Sequence, residues 1–267
     1  VFCPTELGGI RMFRFTELER FPDFTHGFTC RQAGWSDVEA GLRAAEVLGI
    51  PGKAMLFVRQ VHSSRTVLLG AESRLAARRL PGILGPADGL VVKEGWFPVI
   101  RTADCVPVLA VAPEERVVGL FHAGWRGVCD RLVAWGLSLM SGSLGVDSRR
   151  IVVALGPSIR RCCYQVGGDV IERFRAAGHD LGRLLDEDRL DLVEAVRLQA
   201  ESAGVRETLD SGMCTSCRTD LFPSYRVERT RERIWTIGGF RETAAGHKPA
   251  AGFRLGLPAL QQELPDP

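Results

Sequence analysis

The apolar runs of this chain are short, rich in β-branched residues and repeatedly cut by turn residues, and that pattern restricts the fold more than any other feature. Ala54 to Val58, Thr66 to Leu69, Gly89 to Val92, Pro98 to Arg101, Val106 to Val111, Val117 to Phe121, Ile151 to Leu155 and Ile234 to Ile237 all have strand length. The 30 Gly and 14 Pro are scattered over the 267 residues and mark no single linker, so one domain over residues 1–267 is expected. Helical patterns lie between some strands. Asp37 to Leu48 follows Ser36 as N-cap and is closed by Gly49, Asp169 to Ala177 follows Gly167-Gly168, and Leu190 to Ala203 ends before Gly204. Val106 to Val111 and Val117 to Phe121, joined by Ala112-Pro113-Glu114-Glu115-Arg116, read as the arms of a hairpin. Regular βαβ alternation, a Gly-x-Gly-x-x-Gly turn and a phosphate-binding P-loop are all missing. The expected class is therefore α/β of the α+β kind, a mixed β-sheet with flanking helices and a tail fraying from about residue 257.

Composition excludes several function classes. The 34 Lys and Arg against 32 Asp and Glu are interspersed, and a net charge of +2 calls for neither nucleic acid nor an anionic membrane. No apolar run approaches the roughly 20 residues of a membrane-spanning helix. Val1-Phe2-Cys3-Pro4 does not open a secretory signal, so a cytoplasmic protein is expected; a monomer is the separate expectation for its assembly. In that compartment eight cysteines are there to pack, bind metal or react, not to form a disulfide framework.

Three segments at strand ends carry metal-capable side chains: Arg59-Gln60-Val61-His62, Thr102-Ala103-Asp104-Cys105 and Phe121-His122-Ala123-Gly124-Trp125-Arg126-Gly127. Two imidazoles and a thiolate suit Zn²⁺ and leave a fourth tetrahedral position for water or substrate. Taken singly, a His after a strand is commonly a satisfied polar residue. Asp104, Arg126 and the permissive Gly124 and Gly127 make these loops look more like a ligand cradle. Cys214-Thr215-Ser216-Cys217 is a Cys-x-x-Cys without the second pair of a zinc ribbon, and Cys162-Cys163 reads as packing. His179 and His247 read as solvent-facing, and Trp125 as either a stacking platform or a core plug.

In order along the chain, the three segments resemble the signature of the YfiH-type laccase-domain family, also called multicopper polyphenol oxidases and purine nucleoside phosphorylases. His26-Gly27-Phe28 with Gly34-Trp35-Ser36, Ala87-Asp88-Gly89, Gly156-Pro157-Ser158-Ile159, Cys163-Tyr164-Gln165-Val166-Gly167, Cys214-Thr215 and Ser224-Tyr225-Arg226 extend the resemblance over nearly the whole chain. Ser63 stands where the family commonly has Gly, and Val227 where it has a second Arg. The resemblance implies a single-domain mixed α/β sandwich, distantly like a deamidating bacterial toxin of the cytotoxic necrotising factor type. It also implies zinc held by His62, Cys105 and His122, phosphorolysis of adenosine, inosine and methylthioadenosine, and deamination of adenosine; older descriptions attach copper and phenol oxidation.

The implied partners are purine nucleosides and phosphate. For phosphorolysis, Arg59 and Arg126 are the expected phosphate clamps, because a guanidinium offers paired donors to two oxygens. For deamination, Asp104 is expected either to shuttle a proton or to orient a ligand imidazole. Three alternatives stand beside this. A copper polyphenol oxidase is one, although five histidines are few for a multicopper centre. A thiol hydrolase or deamidase using Cys105 and His122 is another. The third is a binding module whose zinc is closed by a fourth protein ligand such as Cys129.

Overall fold

The computed structural model describes residues 1–69 and 83–242; the tail expected to fray and His247 lie outside them. Strands β1 (Phe2–Leu7), β2 (Ile10–Phe15) and β3 (Phe24–Thr29) lead to helix α1 (Asp37–Val47). Strands β4 (Met55–Arg59), β5 (Thr66–Leu69), β6 (Ile83–Pro86), β7 (Gly89–Lys93), β8 (Phe97–Thr102), β9 (Val106–Ala112) and β10 (Val117–Ala123) follow. Helices α2 (Trp125–Cys129) and α3 (Leu132–Leu144) precede β11 (Val152–Leu155). Then come α4 (Gly168–Ala176), α5 (Leu181–Leu184), the short pair β12 (Leu185–Asp186) and β13 (Arg189–Leu190), and α6 (Leu192–Ser202). The described chain closes with β14 (Glu207–Asp210), α7 (Tyr225–Glu228) and β15 (Ile234–Phe240).

Two large mixed sheets result, ordered β1-β2-β3-β15-β8-β4-β6 and β14-β11-β9-β10-β7-β5. Side-chain alternation shows how they stack, since successive residues of a strand face opposite sides. On β9, Val106, Val108, Ala110 and Ala112 pack with Val133, Leu137 and Met140 of α3, whereas Leu109 and Val111 pack with Phe28 and Ile100 of the other sheet. On β15, Trp235 and Ile237 meet Ala44 and Ala45 of α1, whereas Ile234 and Phe240 face inward. The molecule is thus layered α1, seven-stranded sheet, six-stranded sheet, helices, in agreement with the expected mixed α/β class. Strands covered on both faces read as unbroken apolar runs, which is the pattern the sequence shows.

Local sequence sets the details. Ser36 caps α1 through a capping box, its hydroxyl accepting from the Glu39 N–H at 3.2 Å while Glu39 accepts from the Ser36 N–H at 2.9 Å, worth about 1 kcal/mol. Gly41 of α1 lies against the Trp235 ring, where a Cβ would collide with the indole. The hairpin register is Val117↔Ala112 through Ala123↔Val106, and β10 pairs on its other side with Phe121↔Gly89. These two pairings bring Asp88, His122 and Cys105 to one end of the six-stranded sheet. Among the described residues no helix is long and apolar enough to cross a membrane.

Candidate metal and active site

His62, Cys105 and His122 converge: their ligand atoms lie within 4.8 Å of one another. His62 sits just past β4 in a turn, with a φ of +56°, in the left-handed region that non-glycine residues seldom occupy. Cys105 follows Asp104, whose φ is +83°, in the turn from β8 to β9. His122 is near the end of β10. Two left-handed residues at one site are the kind of local strain that the surrounding structure must hold in place.

Asp88 supplies that hold. Its carboxylate is fully buried and accepts from the N–H of His62 at 2.9 Å, from the N–H of Ser63 at 2.6 Å, from the Ser63 hydroxyl at 2.7 Å and from the N–H of Val61 at 3.2 Å. His122 Nδ1–H donates to the same carboxylate at 2.8 Å, and the His122 N–H donates to the Asp88 carbonyl at 2.7 Å. The carboxylate therefore fixes the His62 turn and also the tautomer of His122, leaving Nε2 of His122 to face the cluster. Ser63, where the family commonly has Gly, adds a hydrogen bond to this carboxylate.

The electrostatics of the three side chains are coupled. Burial alone would push the Cys105 thiol up, but the charge and hydrogen bond of His122, with a further share from His62, bring its pKa down to about 6. Burial likewise opposes charge on His122, yet the Cys105 thiolate and Asp88 raise it to about 9. For Asp88, burial is outweighed by His122 and Ser63, which hold it below the usual carboxylate range. A thiol that ionises readily and an imidazole oriented by a buried carboxylate are what a transition-metal ligand set needs. Gly124 makes room: a Cβ there would lie 2.9 Å from Cδ2 of His62 and 3.1 Å from Sγ of Cys105.

The other expected residues fall differently. Asp104 turns away to the C-terminal loops, accepting from Thr215 Oγ1 at 2.7 Å, Ser224 Oγ at 2.8 Å and the Arg226 N–H at 2.7 Å. The carboxylate that orients an imidazole of the cluster is Asp88. Arg59 and Arg126 are both exposed, with the Arg126 guanidinium 4.4 Å from the centre of the Trp125 ring. Cys129 does not close the cluster; its thiol is buried and donates to the Arg173 carbonyl at 3.5 Å. His179, read as solvent-facing, is half-buried and bonded to the Cys129 carbonyl at 2.9 Å. His26 is wholly buried in β3. Among the described histidines only His62 and His122 belong to the cluster, whose three ligand atoms could hold a single ion and are too few for a multicopper assembly. Sequence reasoning gave no role to Asp88, although its place in the Ala87-Asp88-Gly89 turn at the start of β7 pointed to it.

Fold and site together define an enzyme class built on a two-sheet sandwich with a His₂Cys constellation at the sheet's end. The chain belongs to the family described as multi-copper polyphenol oxidoreductase laccase, which it matches over residues 36–239. It is 34% identical over 215 residues to the purine nucleoside phosphorylase YlmD of Geobacillus stearothermophilus, covering 75% of this chain and 77% of that protein. It is 30% identical over 210 residues to the adenosine deaminase RL5 of an unknown prokaryotic organism, covering 74% and 80%. The crystal structure of the hypothetical protein YfiH of Bacillus licheniformis superposes with a TM-score of 0.77 at 26% identity, covering 86% of this chain and 96% of that one. The curated relatives are enzymes, and so is this chain.

Proposed function

We propose that this chain is a purine nucleoside phosphorylase with adenosine deaminase activity, using a divalent zinc ion held by His62, Cys105 and His122. The observation that carries the reading is the convergence of these three ligand atoms, organised by Asp88, in a chain whose relatives are named for both activities. A zinc ion held by these three residues would supply Lewis-acid polarisation of an oxygen, and the donor set of two imidazoles and a thiolate suits zinc better than magnesium or calcium.

The chain's own residues account for the rest. In phosphorolysis a phosphate oxygen bonds to C1′ of the ribose as the C1′–N9 bond breaks, and the purine leaves with the electron pair and takes up a proton. Arg59 and Arg126, both exposed and belonging to the first and last ligand segments, attract and orient the phosphate. Trp125, half-buried, lies under the Arg126 guanidinium at 4.4 Å and that of Arg173 at 5.6 Å from its ring centre, and so helps to hold Arg126 in place. Asp104 acts through the loops it holds, anchoring Thr215, Ser224 and Arg226 beside Cys105. In deamination water adds to C6 of adenine and ammonia leaves, a reaction that needs no phosphate.

The depressed Cys105 thiol beside His122 also fits a second reading, a thiolate–imidazolium pair of a hydrolase or deamidase. Metal content separates the two: a ligated Cys105 resists alkylation, whereas a nucleophile is alkylated and the protein is metal-free. The function itself is tested by incubating the zinc-loaded protein with adenosine, with and without phosphate, and following adenine, ribose 1-phosphate and inosine. Phosphate-dependent adenine and ribose 1-phosphate, phosphate-independent inosine, and loss of all three in Cys105→Ala are expected. No turnover by the zinc-loaded wild type overturns the proposal.

A further inference from the structure

The Cys-x-x-Cys that lacked a second pair in the sequence has one in the fold. Strands β11 and β14 run parallel with Leu155 opposite Asp210, so the segments leaving their C-terminal ends lie side by side. One carries Cys162-Cys163, the other Cys214 and Cys217. Backbone bonds lock the two together: the Ser158 N–H donates to the Met213 carbonyl at 3.2 Å and the Thr215 N–H to the Ser158 carbonyl at 3.0 Å. Arg160 adds a forked ion pair to Asp210. Each pair of cysteines sits in a tight turn, with the Cys163 N–H on the Arg160 carbonyl at 2.8 Å and the Arg218 N–H on the Cys214 carbonyl at 3.0 Å. Adjacent side chains that would otherwise diverge therefore point the same way.

The four sulfur atoms all lie within 4.8 Å of one another, with Cys217 Sγ 3.4 Å from Cys163 and 3.8 Å from Cys162. A tetrahedral zinc with Zn–S bonds of about 2.3 Å sets its sulfurs about 3.8 Å apart. Cys162 and Cys217 are exposed, so core packing does not explain the cluster. All four thiols are unpaired.

We infer that Cys162, Cys163, Cys214 and Cys217 form a tetrathiolate site for a single Zn²⁺, separate from the His₂Cys cluster. Four protein ligands leave no open position, which makes the site structural, not catalytic. The ion staples the β11–α4 connection to the segment that follows β14. That segment supplies Thr215 and Ser224 to Asp104, the neighbour of Cys105, so the staple positions the back wall of the candidate active site.

The test is metal binding by the full-length protein purified under reducing conditions, and it does not depend on any enzymatic activity. Zinc analysis of the wild type is expected to give two equivalents per chain. One should remain in Cys162→Ser/Cys217→Ser and one in His62→Ala/Cys105→Ala. Because a serine variant can fail to fold, Co²⁺ is also added to His62→Ala/Cys105→Ala, which keeps all four thiols, and to the wild type. Intense visible bands and sulfur-to-metal charge transfer of a tetrahedral tetrathiolate are expected from the single equivalent bound by the variant, and the same bands within the wild-type spectrum. A wild type that binds one equivalent and loses it with Cys105, or a variant and wild type that show no tetrathiolate spectrum, overturns the inference. So does a disulfide joining Cys217 to Cys162 or Cys163 in freshly reduced protein exposed to zinc.

Discussion

Replacing Asp88 by Asn changes one atom and should disable the site. The carboxylate accepts at one end from the His62 N–H at 2.9 Å and His122 Nδ1–H at 2.8 Å, and at the other from the Ser63 N–H at 2.6 Å and hydroxyl at 2.7 Å. An amide accepts at one end only. With its NH₂ toward Ser63, the hydroxyl can turn to accept, but the Ser63 N–H is left facing a donor at a cost of about 1–3 kcal/mol. The bonds to His62 and His122 meanwhile change from charge-assisted to neutral and lose about half their strength, roughly 1 kcal/mol each. The reverse orientation leaves two donors unpaired and is worse. The expected loss is therefore about 3–5 kcal/mol of folding stability, with a 10–100-fold weaker metal affinity because His122 loses its orienting partner. Denaturant unfolding of the metal-free protein and zinc titration against a chromophoric chelator measure the two quantities. An Asn variant within 0.5 kcal/mol of wild type, with unchanged zinc affinity, would refute the role given to Asp88, since about 0.5 kcal/mol is what an inconsequential surface change produces.

Three further outcomes are expected. Gly124→Ala places a Cβ against His62 and Cys105, so zinc affinity should drop about tenfold or more in the chelator titration while the far-UV spectrum is unchanged. Gly41→Ala drives a methyl into the Trp235 ring and should cost at least about 1–3 kcal/mol in denaturant unfolding. His26 accepts the Phe15 N–H at 2.9 Å on Nε2 and is buried, so burial, with the charge of Arg14, lowers its pKa to about 3. Its stabilising share is then complete above the unfolded value of 6.5 and is lost as pH falls from there toward 3, by about 1.4 kcal/mol per pH unit. Unfolding measured from pH 7 to pH 4 should show that slope in the wild type and a shallower one in His26→Gln.

The sequence announced those parts of the fold whose strands are apolar on both faces. Val106–Ala112 and Val117–Ala123 were read within two residues at one end, and Thr66–Leu69 without error. Strand β3 was missed because Thr25, His26, Gly27 and Thr29 interrupt its apolar character, although all six residues of the strand are buried. Helix α3 was missed for the opposite reason: it is apolar nearly all round and contains Gly136, against which Phe121 packs, so it lacks the polar stripe that marks a surface helix. The His₂Cys set was legible because each member lies at or just beside the end of an apolar strand. Asp88 was visible only as part of the Ala87-Asp88-Gly89 turn; its role lies in five hydrogen bonds spanning 25 to 34 residues that no local pattern encodes. The pairing of Cys162-Cys163 with Cys214 and Cys217 was not legible, because it depends on the parallel alignment of β11 and β14.

The most direct measurement is anomalous diffraction at the zinc absorption edge from crystals of the zinc-loaded protein. A peak about 2.0–2.3 Å from Nε2 of His62, Nε2 of His122 and Sγ of Cys105, with no fourth protein atom bound, is the expected result. Absence of a peak there, or a peak closed off by a fourth side chain, would contradict the account.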